Sequence, residues 1–173
     1  MAYRPHHLAR RRGILLIDLL MAIVVLSIIL IAVVPAMRPE EPMRLIAASA
    51  VLASDIEYAQ SATLAKPADP ILIRFDESGT RYWLARESDP ETPITRPGHT
   101  QGPYEVFLGY EADTSAEGVT LSLDAVPSLT ITFDAYGRIN ADADPSILVN
   151  NESGSMRIRI RRTTGSVLIE KPD

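Results

Sequence analysis

The sequence predicts an α+β fold: a long N-terminal hydrophobic helix packed on an antiparallel β-sheet domain of about seven or eight strands. Three observations predict it. An apolar run broken only by Asp18 and Ser27 occupies residues 14–34, apolar residues recur at a three-or-four spacing over 43–65, and an alternation of period two begins after Pro70.

At 173 residues the chain is one domain of ordinary size with an appendage, and 46% apolar with 23% charged residues is a globular composition. The absence of cysteine excludes disulfide staples and any thiolate metal or redox site. Two of the three histidines, His6 and His7, precede the apolar run, which argues against a histidine-built zinc site or a Ser-His-Asp triad. No paired-carboxylate motif replaces them, so the expectation is a non-enzyme without a cofactor. The formal charge of −5 argues against nucleic acid as a partner.

The average charge hides an asymmetry. Residues 1–13 hold Arg4, Arg10, Arg11 and Arg12 and no acid, and read as a basic leader. Residues 14–37 are apolar but for Asp18, Ser27 and Pro35. Of 22 acids only Asp18 precedes residue 38, and of 17 Lys+Arg only the four leader arginines do, which leaves residues 38–173 at −8.

As a helix, residues 14–34 span roughly 32 Å at about 1.5 Å per residue, the thickness of a bilayer core. The flanking arginines place the leader in the cytoplasm and the bulk of the chain across the membrane. A secretory signal peptide fits poorly: the apolar core is too long, and Ala32 and Ala36 make a weak cleavage site. A plain anchor does not explain Asp18, since an acid in an apolar span is costly and usually functional.

Asp18 follows Arg12-Gly13-Ile14-Leu15-Leu16-Ile17 and precedes Leu19-Leu20. A basic residue, a glycine, four apolar residues, an acid and more apolar residues resembles the class III signal of type IV pilins and type II secretion pseudopilins. The resemblance implies that a prepilin peptidase cuts after Gly13 on the cytoplasmic side and methylates the new terminus at Ile14. It implies that Asp18, fifth in the mature chain, neutralises a neighbouring subunit's amino terminus during assembly, and that Pro35 is the proline that kinks the helix. The sequence departs from the family in two places. Ile14 stands where the family has phenylalanine or methionine, and Asp18 stands for glutamate, with one methylene less of reach.

Pro35, Pro39 and Pro42 predict an interrupted helix over 35–42, because proline removes a hydrogen bond and clashes with the preceding turn. Residues 38–66 then read as a proline-broken linker and an amphipathic helix. In that helix Leu45, Ala48, Leu52, Ile56, Ala59 and Thr63 share one stripe while Asp55, Glu57 and Gln60 lie on other faces; Lys66-Pro67 ends it. Residues 67–173 read as a β-rich extracytoplasmic domain. Strands are predicted at 71–75 and 81–86 around a Glu77-Ser78-Gly79-Thr80 turn, then at 104–110, 119–123, 129–133, 147–149, 156–161 and 166–170. Four prolines and two glycines make 87–103 a long exposed loop.

Phe133-Asp134-Ala135-Tyr136-Gly137-Arg138 resembles the Phe-Asp-x-x-Gly-Arg stretch of H-type minor pseudopilins and FimT-like minor pilins. Arg157-Ile158-Arg159-Ile160 with Thr164-Gly165-Ser166-Val167 resembles their final hairpin, and Ile56-Glu57-Tyr58-Ala59-Gln60-Ser61 resembles their helix. Ordinary β-turn chemistry accounts equally well for Gly137 and Gly165.

Other constellations point to less. Asn140, Asp142 and Asp144 alternate like calcium ligands but lack the glycine and terminal glutamate of such a loop, so they read as a solvated acidic turn. Arg157, Arg159 and Arg161 share a strand face, with Arg162 beside them; they read as a sheet face paired with the domain's own acids, with docking of an acidic partner the alternative. His99 falls in the proline-rich loop and reads as exposed.

The functional expectation is a minor pilin-like structural subunit of a type II secretion or type IV pilus filament, held in the bacterial inner membrane by a single pass. Its implied partners are the prepilin peptidase, other pilins or pseudopilins, and the inner-membrane assembly platform. The rival expectation is a membrane-anchored extracytoplasmic binding module that does not polymerise.

Overall fold

The structure, a computed structural model, describes residues 12–36, 41–98, 102–109 and 116–172. It divides into two compact units, Met1–Pro39 and Glu40–Asp173.

The first unit contributes one helix, α1 (Arg12–Ala36). Its leucines and alanines favour a helix and its isoleucines and valines, though stiff at χ1, bring no competing polar group, while Ser27 donates to the Ile23 carbonyl at 2.7 Å instead of breaking the ladder. Pro35 falls within the last turn; of the interruption expected over 35–42, residues 37–40 lie outside the described residues. The side chains described in α1 are those of residues 16–29, a stretch shorter than a bilayer crossing. Among the described residues no helix is long and apolar enough to cross a membrane.

The second unit opens with α2 (Glu41–Ala65). It starts two residues before the expected Met43, with Pro42 in its first turn, where a missing N–H costs nothing. Glu41 sits at the positive end of the helix dipole. Nine strands follow: β1 (Ile71–Phe75), β2 (Arg81–Arg86), β3 (Asp89–Pro93), β4 (Glu105–Phe107), β5 (Thr120–Asp124), β6 (Thr130–Thr132), β7 (Ser146–Asn151), β8 (Gly154–Ile160) and β9 (Val167–Glu170).

Among the described residues the strands form two antiparallel sheets, and they number nine where the expectation was an antiparallel β-sheet domain of about seven or eight. One runs β3-β2-β1-β6, with β4 also on β2; the other runs β5-β7-β8-β9. The unexpected strand is β3, inside the expected loop. It is an edge strand that meets β2 only through Ala85 opposite Pro93 and Arg86 opposite Asp89, so its prolines block no ladder bond further out. The sheets are stitched where the Leu121 N–H of β5 donates to the carbonyl of Gly79, in the turn between β1 and β2, at 2.8 Å.

α2 packs against β1 of the first sheet and against β7, β8 and β9 of the second. The predicted stripe is buried throughout: Leu45, Ala48, Leu52, Ile56, Ala59 and Thr63. It meets Ile73, Phe75, Tyr82, Leu84, Ile131 and Phe133 from one sheet and Ile147, Val149, Ile158 and Ile160 from the other. Burying each such large side chain stabilises by about 1.5–3 kcal/mol. Trp83 belongs to the opposite face of the first sheet, with Leu72 and Ala85, and its indole donates to the Pro90 carbonyl at 2.9 Å.

Candidate functional site

The candidate site begins on α1. Gly13 and Ile14 lie in its first turn, and Asp18 follows Ile14 by about one turn. Asp18 is exposed. So are its described neighbours all the way round: Leu16, Ile17, Leu19, Leu20, Met21 and on to Ile29 are between 44% and 69% exposed. A helix apolar on every side has no solvent face and requires either lipid or protein around it. Pro35 stands on the same helix, about two turns beyond Ser27; its side chain lies outside the described residues.

In the globular unit, α2 also carries exposed apolar residues. Its inner face is covered by the two sheets, but Met43, Ile46 and Val51 are 64%, 58% and 49% exposed on the outer face, with Ala47 and Ala50 exposed between them. The spacing makes one apolar stripe along the first half of the helix. Beyond it the outer face turns polar at Ser54, Glu57 and Ser61.

The three late motifs meet at one residue. Gln60 of α2 donates through Nε2 to the Gly137 carbonyl and to the Thr164 carbonyl, both at 2.8 Å. Gly137 and Gly165 both adopt positive φ, +74° and +68°. A Cβ on Gly165 would collide with Gln60 Nε2 and with the Gly137 carbonyl, so this position requires glycine for space as well as for backbone. The Asp134 carboxylate closes the other turn, accepting from the Tyr136 N–H at 2.8 Å, the Arg138 N–H at 2.9 Å and Arg138 Nε at 2.9 Å. The Arg138 backbone N–H, then its guanidinium, hold the Asp134 carboxyl below the usual range. The helix segment, the Phe-Asp-x-x-Gly-Arg turn and the final hairpin are thus one latch, and both turns are ordinary β-turn chemistry locked by a helix side chain.

A second polar cluster was not legible beforehand. Asp55, expected off the buried stripe, is 6% exposed. Its Oδ2 accepts from the Tyr82 hydroxyl at 2.7 Å and its Oδ1 from the Tyr104 hydroxyl at 2.8 Å. Tyr104 stacks on Tyr58 at 5.8 Å, and the Arg96 guanidinium lies 4.7 Å over its ring. Burial pushes the Asp55 carboxyl above its usual range, against the opposing pull of the two hydroxyls and Arg96. Burial likewise raises both tyrosines, so they stay protonated and act as donors.

The remaining expected residues do not assemble into a site. Asp144 Oδ1 accepts the Arg162 N–H at 3.0 Å, and among the described residues no group of three acids or histidines is placed to hold a metal. Arg159 is paired to Glu170 at 2.7 Å, and the groove beside Arg157 and Arg159 also contains Asp124 and Asp144, so this face is balanced by the domain's own acids. His99 lies outside the described residues.

No protein-family model matches the chain, and no curated protein matches it. Two crystal structures of the type IV minor pilin FimU of Pseudomonas aeruginosa strain PAO1 are similar to it. One is 16% identical with a TM-score of 0.49, over 73% of this chain and 92% of that one. The other is 17% identical with a TM-score of 0.49, over 75% of this chain and 88% of that one. Likeness of this degree leaves the functional reading to the chain's own residues.

Proposed function

We propose that the chain is a minor pilin-like structural subunit, a pseudopilin of a type II secretion or type IV pilus filament, processed after Gly13 and assembled through its N-terminal helix. The observation that carries this reading is the single register of Gly13, Ile14, Asp18 and Pro35 on an apolar helix. Glycine before the cut admits the peptide bond to a narrow membrane-embedded peptidase. The cut leaves an ammonium at Ile14 next to lipid. A neighbouring Asp18 neutralises it, and in low dielectric that pairing offsets two desolvation costs together. Docking of a subunit is then set in register by one charge pair and held by apolar helix packing.

The outward stripe of Met43, Ile46, Ala47, Ala50 and Val51 supports the same reading, since it gives the globular unit an apolar helix face of its own on which another subunit can pack. The unit Glu40–Asp173 then lies outside the cytoplasm and the chain is anchored in the inner membrane. In-cell crosslinking of the processed protein to co-expressed pilins of its own system tests assembly. Asp18→Ala should still be cleaved but recovered with partners far less, since one half of a buried pair costs about 3–5 kcal/mol when its mate is removed. Asp18→Glu should assemble at least as well as wild type. Equal recovery of wild type and Asp18→Ala would reduce the chain to an anchored module that does not polymerise.

A further inference from the structure

We infer that the cleft beside β6 is a docking site for an extended, cation-bearing segment of a partner protein, which adds to the first sheet as a strand. β6 ends that sheet; beyond its residues 130–132 no strand is paired among the described residues. An unpaired edge offers a row of N–H and C=O groups to an incoming chain.

The cleft has a volume of about 460 Å³ and is open to solvent. Thr130 and Thr132 line it, so the last strand of the sheet borders the space; the Thr130 hydroxyl itself donates to the Ser128 carbonyl at 3.0 Å. Pro70, Pro127 and Pro145 line it as well. Proline has no N–H, so those walls cannot pair with β6 themselves and the chain does not close its own gap. The approach to β6 is also conformationally strained. Ala125, Ser128 and Leu129 all carry positive φ, of 54°, 52° and 55°, with none of them glycine. Such strain persists where surrounding structure over-determines it, and it gathers at functional sites.

Charge selects the occupant. Glu87 and Asp134 line the cleft and no lysine or arginine does. Asp134 is already neutralised by Arg138 at 2.9 Å, so Glu87 supplies the preference for a cation. One residue past the lining, Tyr136 is 77% exposed and its ring lies under the Arg138 guanidinium at 4.9 Å. It offers a pre-set aromatic contact of the kind that anchors interfaces. An alternating apolar and Lys/Arg segment satisfies the edge, the carboxylate and the ring at once.

The test uses the full chain in detergent micelles and a phage-displayed library of random eight-residue peptides, with Glu87→Lys as the counter-target. Glu87 is exposed, so the substitution leaves the fold intact. Selection on wild type should enrich peptides with Lys or Arg at alternate positions, and their binding to Glu87→Lys should be at least tenfold weaker. Amide exchange at 130–132 should slow when a selected peptide binds. Enrichment of acidic peptides, equal binding to both targets, or no protection of 130–132 would each overturn the proposal. So would dimerisation of the chain that Glu87→Lys abolishes, which would make the occupant a second copy.

Discussion

At the scale of single residues, the two polar clusters inside the globular unit make separate predictions. Gly165 carries positive φ and has Gln60 and the Gly137 carbonyl where a side chain would go. Gly165→Ala should therefore destabilise the unit by about 1–3 kcal/mol, read by urea denaturation, whereas the same change at Gly98, which also has positive φ but open space around it, should cost less. Asp55 makes a prediction in pH. Its folded carboxyl is raised by burial, so its contribution to stability is present below the unfolded value of about 3.9 and is lost as pH rises through the folded value. Wild type measured against Asp55→Asn should gain relative stability as pH falls from neutral toward 4. A difference that is flat, or that runs the other way, would show that the tyrosine hydroxyls and Arg96 outweigh desolvation. Neither cluster could be read from the chain alone. Asp55 and Gln60 lie off the one stripe that the spacing marks, while in the fold two sheets enclose α2 over a wider arc. Tyr82 and Tyr104, the donors that make a buried Asp55 tolerable, lie 27 and 49 residues away.

At the scale of elements, local pattern served well where the neighbours are close in sequence. The whole stripe from Leu45 to Thr63 is buried as its spacing required, and β1 and β2 occupy the predicted residues 71–75 and 81–86 around their turn. Pattern failed where pairing is remote. β3 was hidden by Pro90 and Pro93, and the division into two sheets depends on β5 pairing with β7 across the intervening β6, which no local periodicity encodes. The two faces of α2 give a test at this scale. Leu52→Ala on the inner face should cost about 2–5 kcal/mol of stability in thermal or urea unfolding. Ile46→Lys with Val51→Lys on the outer face should leave stability within about 0.5 kcal/mol, since exposed positions rarely matter to folding. That pair should nevertheless reduce crosslinking to partner pilins. Loss of stability in the double variant would mean that the outer stripe serves the fold and not assembly.

At the scale of the molecule, the chain holds an apolar helix in one unit and an acidic globular unit with its own core. A chain beginning at Glu41 retains α2, both sheets and the whole buried cluster, and should be soluble and show mixed helix and strand by circular dichroism. The acidic balance beyond residue 38, the basic leader and the apolar span were all legible in the sequence, because composition needs no tertiary contact to be read. The proposed processing signal around Gly13 is read in the same way, because it is a linear pattern of residues that needs no tertiary contact. It also bears the most weight, since a cut after Gly13 separates a filament subunit from any plain anchor. The most direct measurement is the intact mass of the protein purified from membranes that contain a prepilin peptidase. Wild type should lack residues 1–13, with one methyl added at Ile14, and Gly13→Val should retain the leader. A wild-type mass that still includes the leader, or a Gly13→Val protein that matures to the same mass as wild type, would contradict the account.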